Sequence, residues 1–183
     1  MFEYGNGRSR RPFNDQSLHL NDTCIMPPQS QRDMTGLSSG HDDCDPLATK
    51  ENIGCSVTNV NDLSTGPGFN ANGGAWFVAE RREGDIKTWI FPPCRVPWSL
   101  RQAAKAAKAG AGEAKESEEE GEDAHTMRYV DTSTFGKPSG HWPSTPDCDL
   151  RTKFADIHPV ANLDFCGTSV SRIPVDLICH CLH

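Results

Sequence analysis

Two short runs of aromatic and β-branched residues, separated by a turn, constrain the fold of this chain more than any other feature. The runs are Ala75–Arg81 and Ile86–Phe91, and Arg82–Asp85 lies between them. Successive side chains of a strand point to opposite faces, and both runs alternate in this way. Gly84 can adopt a positive φ in the turn, and two consecutive prolines end the second run. The sequence therefore predicts a β-hairpin here.

Short apolar runs between turn-forming residues extend from Asn14 to Trp98 and are typical of an all-β domain. The composition then changes abruptly at residues 99–124, which are rich in Ala, Lys and Glu. From Ala103 to Asp123 there are three lysines and seven acids, so this stretch carries -4 of the formal charge of -7. Its helix formers lack an apolar face, so any helix is marginal. We expect a solvated, disordered insertion, and the alternative is an acidic interaction segment.

Charge and hydrophobicity limit the partners of the chain. A net charge of -7 argues against nucleic acid, because a nucleic-acid-binding protein needs a basic face. No apolar run approaches the roughly 20 residues that span a bilayer, so no membrane segment is expected. No secretory signal is legible in Met1–Phe13. The sequence thus favours a protein that interacts with neither nucleic acid nor membrane.

Eight cysteines are many for 183 residues, and none of them forms a C-x-x-C pair. Scattered cysteines in a chain rich in Gly and Pro favour disulfides in an oxidising compartment. The tripeptide Asn21–Thr23 is a glycosylation acceptor that points the same way. The missing signal sequence conflicts with both indications. A terminal cluster, Cys179–His183, has no second group of ligands, so we expect no metal site.

Several phrases of the sequence together resemble a known enzyme family. They are "NDQSLHL", "MTGLSSGHDDCD", "IGCSV", "GPGFNANGGAWFVAERREGDIKTWIFPP", "VPWSL", "FGKPSGHWPSTPDCDLRTKF" and "NLDFCG". In this order they resemble the fungal endo-1,3(4)-β-glucanases (laminarinase-like enzymes) of glycoside hydrolase family 16. The resemblance implies an all-β sandwich of the jelly-roll (concanavalin-like) type, whose concave sheet forms a β-glucan cleft. It also implies an extracellular, monomeric protein that needs no cofactor.

The family hydrolyses 1,3(4)-β-glucosidic bonds with retention, using two carboxylates about 5–5.5 Å apart. It supplies them from one strand as Glu-x-Asp-x-x-Glu, just before the phrase that matches "NDQSLHL". Glu3 is the single acid in that region of this sequence, and the motif occurs nowhere in it. Glu83 and Asp85 do not replace it, because Thr88 stands at the third position and the pair falls in the hairpin turn. We therefore predict no catalytic residues and negligible hydrolysis. The alternatives are a non-catalytic glucan-binding remnant and a truncated, unstable product.

The resemblance stops at both ends, which predicts three regions. Residues 1–13 form an unrelated N-terminal segment, residues 14–167 form a partial family-16 domain that contains the insertion, and residues 168–183 form an unrelated tail. On this interpretation the sandwich is incomplete.

Single residues are interpreted through the same resemblance. A lone histidine favours a structural or surface role. His19 also matches a family histidine that lines the glucan cleft, and this resemblance makes the cleft role about equally well supported. Trp76 and Trp89 are expected in the core of the sandwich, in preference to stacking on sugar. Structural roles are expected for Cys24, Cys44, Cys55, Cys148 and Cys166. The sequence does not select among the 105 pairings that eight cysteines allow.

Overall fold

The structure is a computed structural model. It describes residues 2–6, 14–20, 24–48, 54–61, 64–110 and 130–154. Several predictions from the sequence lie outside these ranges: the glycosylation tripeptide, the second half of the insertion, the phrase "NLDFCG" with Cys166, and the C-terminal segment with its two cysteines. Within the ranges, no helix is long and apolar enough to cross a membrane.

Four strands form the first sheet: β1 (Phe2–Asn6), β2 (Asn14–Leu18), β3 (Leu37–Ser38) and β4 (Cys55–Asn59). Their order is β1-β2-β4-β3, and every neighbouring pair is antiparallel. β1 lies within residues 1–13 and pairs with β2 over its whole length, from Phe2 opposite Leu18 to Asn6 opposite Asn14. The predicted boundaries of the three regions stay predictions.

Three strands form the second sheet: β5 (Trp76–Arg81), β6 (Asp85–Phe91) and β7 (Gly140–Pro143). Their order is β5-β6-β7, again antiparallel. The predicted hairpin is confirmed, and the Arg82 N–H donates to the Asp85 carbonyl at 2.9 Å to close its turn. Gly84 does not use the positive φ that glycine permits, since the described glycines with positive φ are at positions 40, 54, 73, 74 and 136.

Short helices connect the strands. They are α1 (Gly66–Ala71), α2 (Trp98–Gly110) and α3 (Leu150–Lys153), with 3-10 turns at Gln29–Gln31, Pro93–Arg95 and Thr132–Phe135. The prediction of disorder is wrong for the first half of the insertion, because α2 includes residues 99–110. Its run of Ala and Lys has high helix propensity. Arg101 also fixes the start of this helix, because its guanidinium donates to the carbonyls of Val96 (3.1 Å) and Pro93 (3.0 Å).

The two sheets pack face to face around one core. Leu18 and Val57 of the first sheet and Ile86 and Trp142 of the second belong to a single buried apolar cluster. Trp142 is fully buried, and its indole N–H donates to the Cys55 carbonyl across the sandwich at 3.0 Å. The all-β sandwich predicted from the sequence is therefore confirmed.

The other tryptophans differ from their predicted places. Trp76 is 37% exposed, so its prediction as a core residue is wrong. Trp89 is buried, but it follows Thr88, which faces the first sheet, so alternation places Trp89 on the opposite side of β6. There it packs edge-on against Phe135, with ring centroids 5.6 Å apart. The burial of Trp89 thus comes from the Thr132–Phe135 turn.

Two disulfides connect the loops to the sandwich. Cys24 pairs with Cys148, 124 residues away, and Cys44 pairs with Cys55, 11 residues away. All four cysteines are buried in the core, which agrees with their predicted structural role. Among the described residues, Cys94 is the free cysteine, and it is exposed.

Candidate functional site

Polar side chains line one face of the first sheet, on its two central strands. Asp15 and Ser17 of β2 alternate with residues that face the second sheet, and β4 places Thr58 opposite Asp15 and Ser56 opposite Ser17. Side chains directly opposite each other in an antiparallel pair share a face. We call these four residues, together with His19 at the end of β2, the polar face. It is the side of the first sheet opposite the packed apolar cluster; Ser17, Ser56 and His19 are buried there, and Asp15 and Thr58 are partly exposed.

The polar face is held together by hydrogen bonds between the strands. The Thr58 hydroxyl donates to Asp15 Oδ1 at 2.6 Å, and the hydroxyls of Ser17 and Ser56 are 2.7 Å apart. Burial raises the pKa of Asp15, and the hydrogen bond from Thr58 opposes that rise only in part. Asp15 is therefore a half-buried carboxyl group whose protonated form is favoured relative to a solvated aspartate.

His19 is buried beside Gly54, the residue that directly precedes β4. His19 directly follows β2 and is 8% exposed. Gly54 has φ +62°, and a Cβ placed there would lie 2.9 Å from His19 Nδ1 and 2.5 Å from the Leu18 carbonyl. Because only glycine leaves this space open, Gly54 lets the imidazole pack at the end of the polar face. The glucan-binding role predicted for His19 stays a prediction.

The other carboxylates singled out in the sequence lie elsewhere. Glu83 is exposed in the hairpin turn of the second sheet. Asp85 begins β6, and its Oδ2 lies 2.7 Å from Lys87 Nζ and 3.3 Å from His141 Nε2. These three side chains form an ion-paired cluster on the outer side of the second sheet. Burial lowers the pKa of His141 despite the adjacent carboxylate.

Glu3 occupies a position in β1 where its backbone is in register with Ser17. The first sheet therefore brings β1 alongside the polar face, with Gly5 opposite Asp15. In the part of the chain that the structure describes, no group of three or more His, Cys, Asp or Glu residues is arranged to hold a metal ion.

The sequence carried a signal for the polar face that the prediction did not use. In "NDQSL" and "CSVTN" small polar residues occupy every second position, which is the period of a strand with two different faces. The pairing of the two segments was not evident, because they lie some 40 residues apart. Their register brings the two sets of hydroxyl groups together.

Comparison with known families identifies the domain. A family model described as "XgeA-like, catalytic GH16 domain" matches residues 2–181. The chain belongs to this GH16 family. The match includes residues of both segments that were predicted to be unrelated ends, and it agrees with the resemblance found in the sequence.

Curated relatives are fungal glucanases and a fungal glycosidase. A probable endo-1,3(4)-β-glucanase of Aspergillus fumigatus is 26% identical over 162 residues, which cover 88% of this chain and 20% of the relative. A probable glycosidase of Schizosaccharomyces pombe is 28% identical, covering 84% of this chain and 30% of the relative. The GH16 chain thus spans about a fifth of the length of the first of these relatives.

Solved structures of GH16 proteins have the same fold. Laminarinase 16A from Phanerochaete chrysosporium, with β-glucans in both donor and acceptor sites, matches with a TM-score of 0.57 and 29% identity. The match covers 84% of this chain and 43% of the laminarinase. An elongating GH16 β-1,3-glucosyltransferase matches with a TM-score of 0.57 and 25% identity, covering 81% of this chain and 39% of that protein. The predicted jelly-roll sandwich is therefore confirmed.

Proposed function

We propose that this chain binds β-glucan along the polar face of its GH16 sandwich and does not hydrolyse it. The observation that carries the proposal is the ladder of hydroxyl and carboxyl groups on β2 and β4, on the side of the first sheet opposite the packed apolar cluster. The resemblance of the sequence to laminarinase-like enzymes supports β-glucan as the ligand.

The chemistry of the partly exposed residues of the polar face suits a neutral polysaccharide. Sugar hydroxyls both donate and accept hydrogen bonds, and so does the hydroxyl of Thr58, while Asp15 accepts when ionised. The hydroxyls of Ser17 and Ser56 are buried and bond to each other, so they support the face from beneath. Leu37 is the register partner of Thr58 and is 51% exposed, so it offers an apolar surface to the C–H groups of a pyranose. Polar groups beside an exposed apolar side chain are typical of sites that recognise sugars by both kinds of surface.

The expected lack of hydrolysis rests on the missing motif. A retaining glycosidase needs one carboxylate as nucleophile and a second one, about 5–5.5 Å away, as acid and base. The family supplies both from Glu-x-Asp-x-x-Glu, and this motif does not occur in the sequence. Asp15 belongs to the polar face, and Glu3 of the adjacent strand β1 is in backbone register with Ser17, but neither is part of such a motif. We therefore expect binding without bond cleavage.

The location, oligomeric state and cofactor requirement are inferred from the same family resemblance. We infer an extracellular location, which two buried disulfides support because such bonds persist in oxidising compartments. The resemblance also leads us to propose a monomer. We propose that no cofactor is needed, since glycoside hydrolysis and glucan binding rest on side-chain groups alone.

Affinity electrophoresis in gels that contain laminarin tests the binding. Wild-type protein should be retarded relative to a gel without glucan. Leu37→Arg places a long cationic chain on the polar side of β3, so retardation should fall at least fivefold. Leu47→Arg is the matched control, because Leu47 is 91% exposed in a loop and off the strands of this sheet. Equal retardation of the two variants would place the binding surface elsewhere.

A reducing-end assay on the same samples tests the second half of the proposal. We expect no release of reducing sugar from laminarin above that of a sample without protein. Measurable release that Asp15→Asn abolishes would overturn the proposal and assign hydrolysis to the polar face.

A further inference from the structure

A pocket of about 280 Å³ opens between the last residues of β4 and the C-terminal half of β6. Its walls combine three aromatic rings with amide and hydroxyl groups: Trp89, Phe91, Phe135, Asn59, Asn61 and Ser139. Asn59 alternates with Thr58 along β4, so its side chain belongs to the inward side of the first sheet. The pocket is therefore separate from the polar face.

The aromatic wall is fixed in place. Trp89 donates its indole N–H to the Gly136 carbonyl at 3.1 Å. Phe135 meets Trp89 edge-on at 5.6 Å and Phe91 edge-on at 5.4 Å. Such edge-to-face pairs stabilise their own geometry, so these rings need little rearrangement to accept a ligand. Trp89 and Phe135 are themselves buried, so the partly exposed ring of Phe91, which they hold in place, is the aromatic surface that a ligand can reach. Aromatic surface next to polar groups is suited to a ligand that has both C–H faces and hydroxyls.

The polar wall is preorganised by a turn at the end of β4. Asn59 Oδ1 accepts from the backbone N–H of Asn61 at 2.9 Å. The Ser64 hydroxyl donates to the Asn61 carbonyl at 2.6 Å and lies 3.3 Å from the Asn14 N–H, whose hydrogen bond it accepts. These bonds hold the backbone of the turn against β2, so the amides of this wall stand at defined positions.

The charges of the pocket argue for a neutral ligand. No carboxylate is among its lining residues within the described ranges. Lys137 is the one cation among them, and its ammonium lies 3.0 Å from Asp33, which offsets its charge. A cationic ligand would therefore find no carboxylate on the lining, and an anionic one would compete with Asp33 for Lys137.

The volume sets the size of the ligand. Sites for drug-sized molecules enclose about 300–1,000 Å³, and this pocket, at about 280 Å³, lies just below that range. It has room for about one six-membered ring that carries several hydroxyl groups.

We propose that this pocket is an accessory carbohydrate site that binds one neutral hexopyranose ring. The ring is either a free monosaccharide or the terminal unit of a glucan. The proposal extends the β-glucan binding proposed above and rests on it for the choice of sugar, but it assigns a second surface that can be tested alone.

Chemical-shift titration of the full chain with methyl β-D-glucopyranoside tests this proposal. We expect saturable shifts of the backbone amides of residues 59–61 and 89–91. Val60 lines the pocket and is 46% exposed, so Val60→Trp should fill the entrance without disturbing the core. This variant should bind at least tenfold more weakly, while Val60→Ala should bind within twofold of wild type.

Controls separate this site from the polar face. Leu37→Arg should leave the titration unchanged, and Val60→Trp should leave retardation by laminarin within twofold. If Val60→Trp weakens both the binding of the glucoside and the retardation by laminarin, the bound ring is the end of a glucan that reaches both surfaces, and the pocket assignment stands. The proposal is overturned if the glucoside gives no saturable shifts, if Val60→Trp binds like wild type, or if cyclohexanol binds as tightly as the glucoside.

Discussion

Individual residues at the polar face and on the outer side of the second sheet have physical roles that substitutions can separate. Gly54 is the clearest example, because it combines a positive φ with a close approach to His19 and to the Leu18 carbonyl. Gly40 also has a positive φ, +83°, but a Cβ there would meet nothing within 4 Å. The two glycines thus form a matched pair that separates backbone strain from steric contact.

Gly54→Ala should destabilise the fold by about 2–5 kcal/mol, because a left-handed alanine costs about 1–2 kcal/mol and overpacking adds about 1–3 kcal/mol. Gly40→Ala should destabilise the fold only by the backbone contribution of about 1–2 kcal/mol. Urea unfolding monitored by tryptophan fluorescence gives both values. Equal losses for the two variants would show that Gly54 is not needed to make room for His19.

His141 should make stability depend on pH. Its pKa is lowered by burial, and the positive charges of Lys87 and Arg32 add to this effect, whereas the Asp85 carboxylate acts in the opposite direction. The folded state therefore binds a proton less readily than the unfolded state. The stabilisation is complete above the usual histidine pKa of about 6.5 and is lost as the pH falls from there through the lower pKa of the folded state.

His141→Gln should accordingly flatten the curve of melting temperature against pH between pH 7 and pH 5. Wild-type protein should lose more stability than the variant over this interval. Differential scanning calorimetry at several pH values makes the comparison. Two parallel curves would mean that the protonation of His141 is not linked to folding.

At the scale of elements, a polar cluster joins the two sheets inside an otherwise apolar core. The Thr88 hydroxyl of β6 donates to Gln16 Oε1 of β2, and Gln16 Nε2 donates to the Ser139 hydroxyl at 3.2 Å. Ser139 in turn donates to the Thr88 carbonyl at 3.0 Å. Since all three side chains are buried, removal of one partner leaves another without a hydrogen bond.

Thr88→Val keeps the volume of the side chain but deprives Gln16 of its donor, so it should cost about 1–3 kcal/mol. Gln16→Leu removes the acceptor instead. The double variant should be less destabilised than the sum of the two single variants, because neither group is then left unpaired. Urea unfolding of all four proteins completes this cycle, and strictly additive losses would contradict the coupling.

The elements also show what sequence reasoning can and cannot predict. The hairpin of β5 and β6 was predictable, because its alternation and its turn lie within one stretch. The pairing of β2 with β4 was not, because register between distant segments depends on contacts that no local pattern contains. Helix α2 was not predicted, because an Ala/Lys run without an apolar face has high helix propensity but offers no face that could pack against the rest of the domain. The place of Trp89 depended on the distant Phe135.

For the whole molecule, the two disulfides make different contributions to stability. A disulfide restricts the unfolded chain more when the loop that it closes is longer. Cys24 and Cys148 are 124 residues apart in the sequence, so their disulfide closes a long loop. Cys44 and Cys55 are only 11 residues apart, so their disulfide closes a short one. Both pairs are buried, so the loss of packing on substitution is similar.

Replacing Cys24 and Cys148 by Ala should therefore cost about 2 kcal/mol more than replacing Cys44 and Cys55 by Ala, as the loop lengths require. Guanidinium unfolding of the two double variants measures the difference. Equal midpoints and slopes for the two variants would show that loop length does not control the stability of this sandwich.

We propose that the GH16 chain binds β-glucan and leaves it intact. Equilibrium dialysis against laminarihexaose, followed by mass spectrometry of both chambers, tests binding and cleavage together. We expect an excess of hexaose in the protein chamber, with every recovered molecule still a hexaose. Equal concentrations in the two chambers would contradict the binding, and shorter oligosaccharides in either chamber would contradict the absence of hydrolysis.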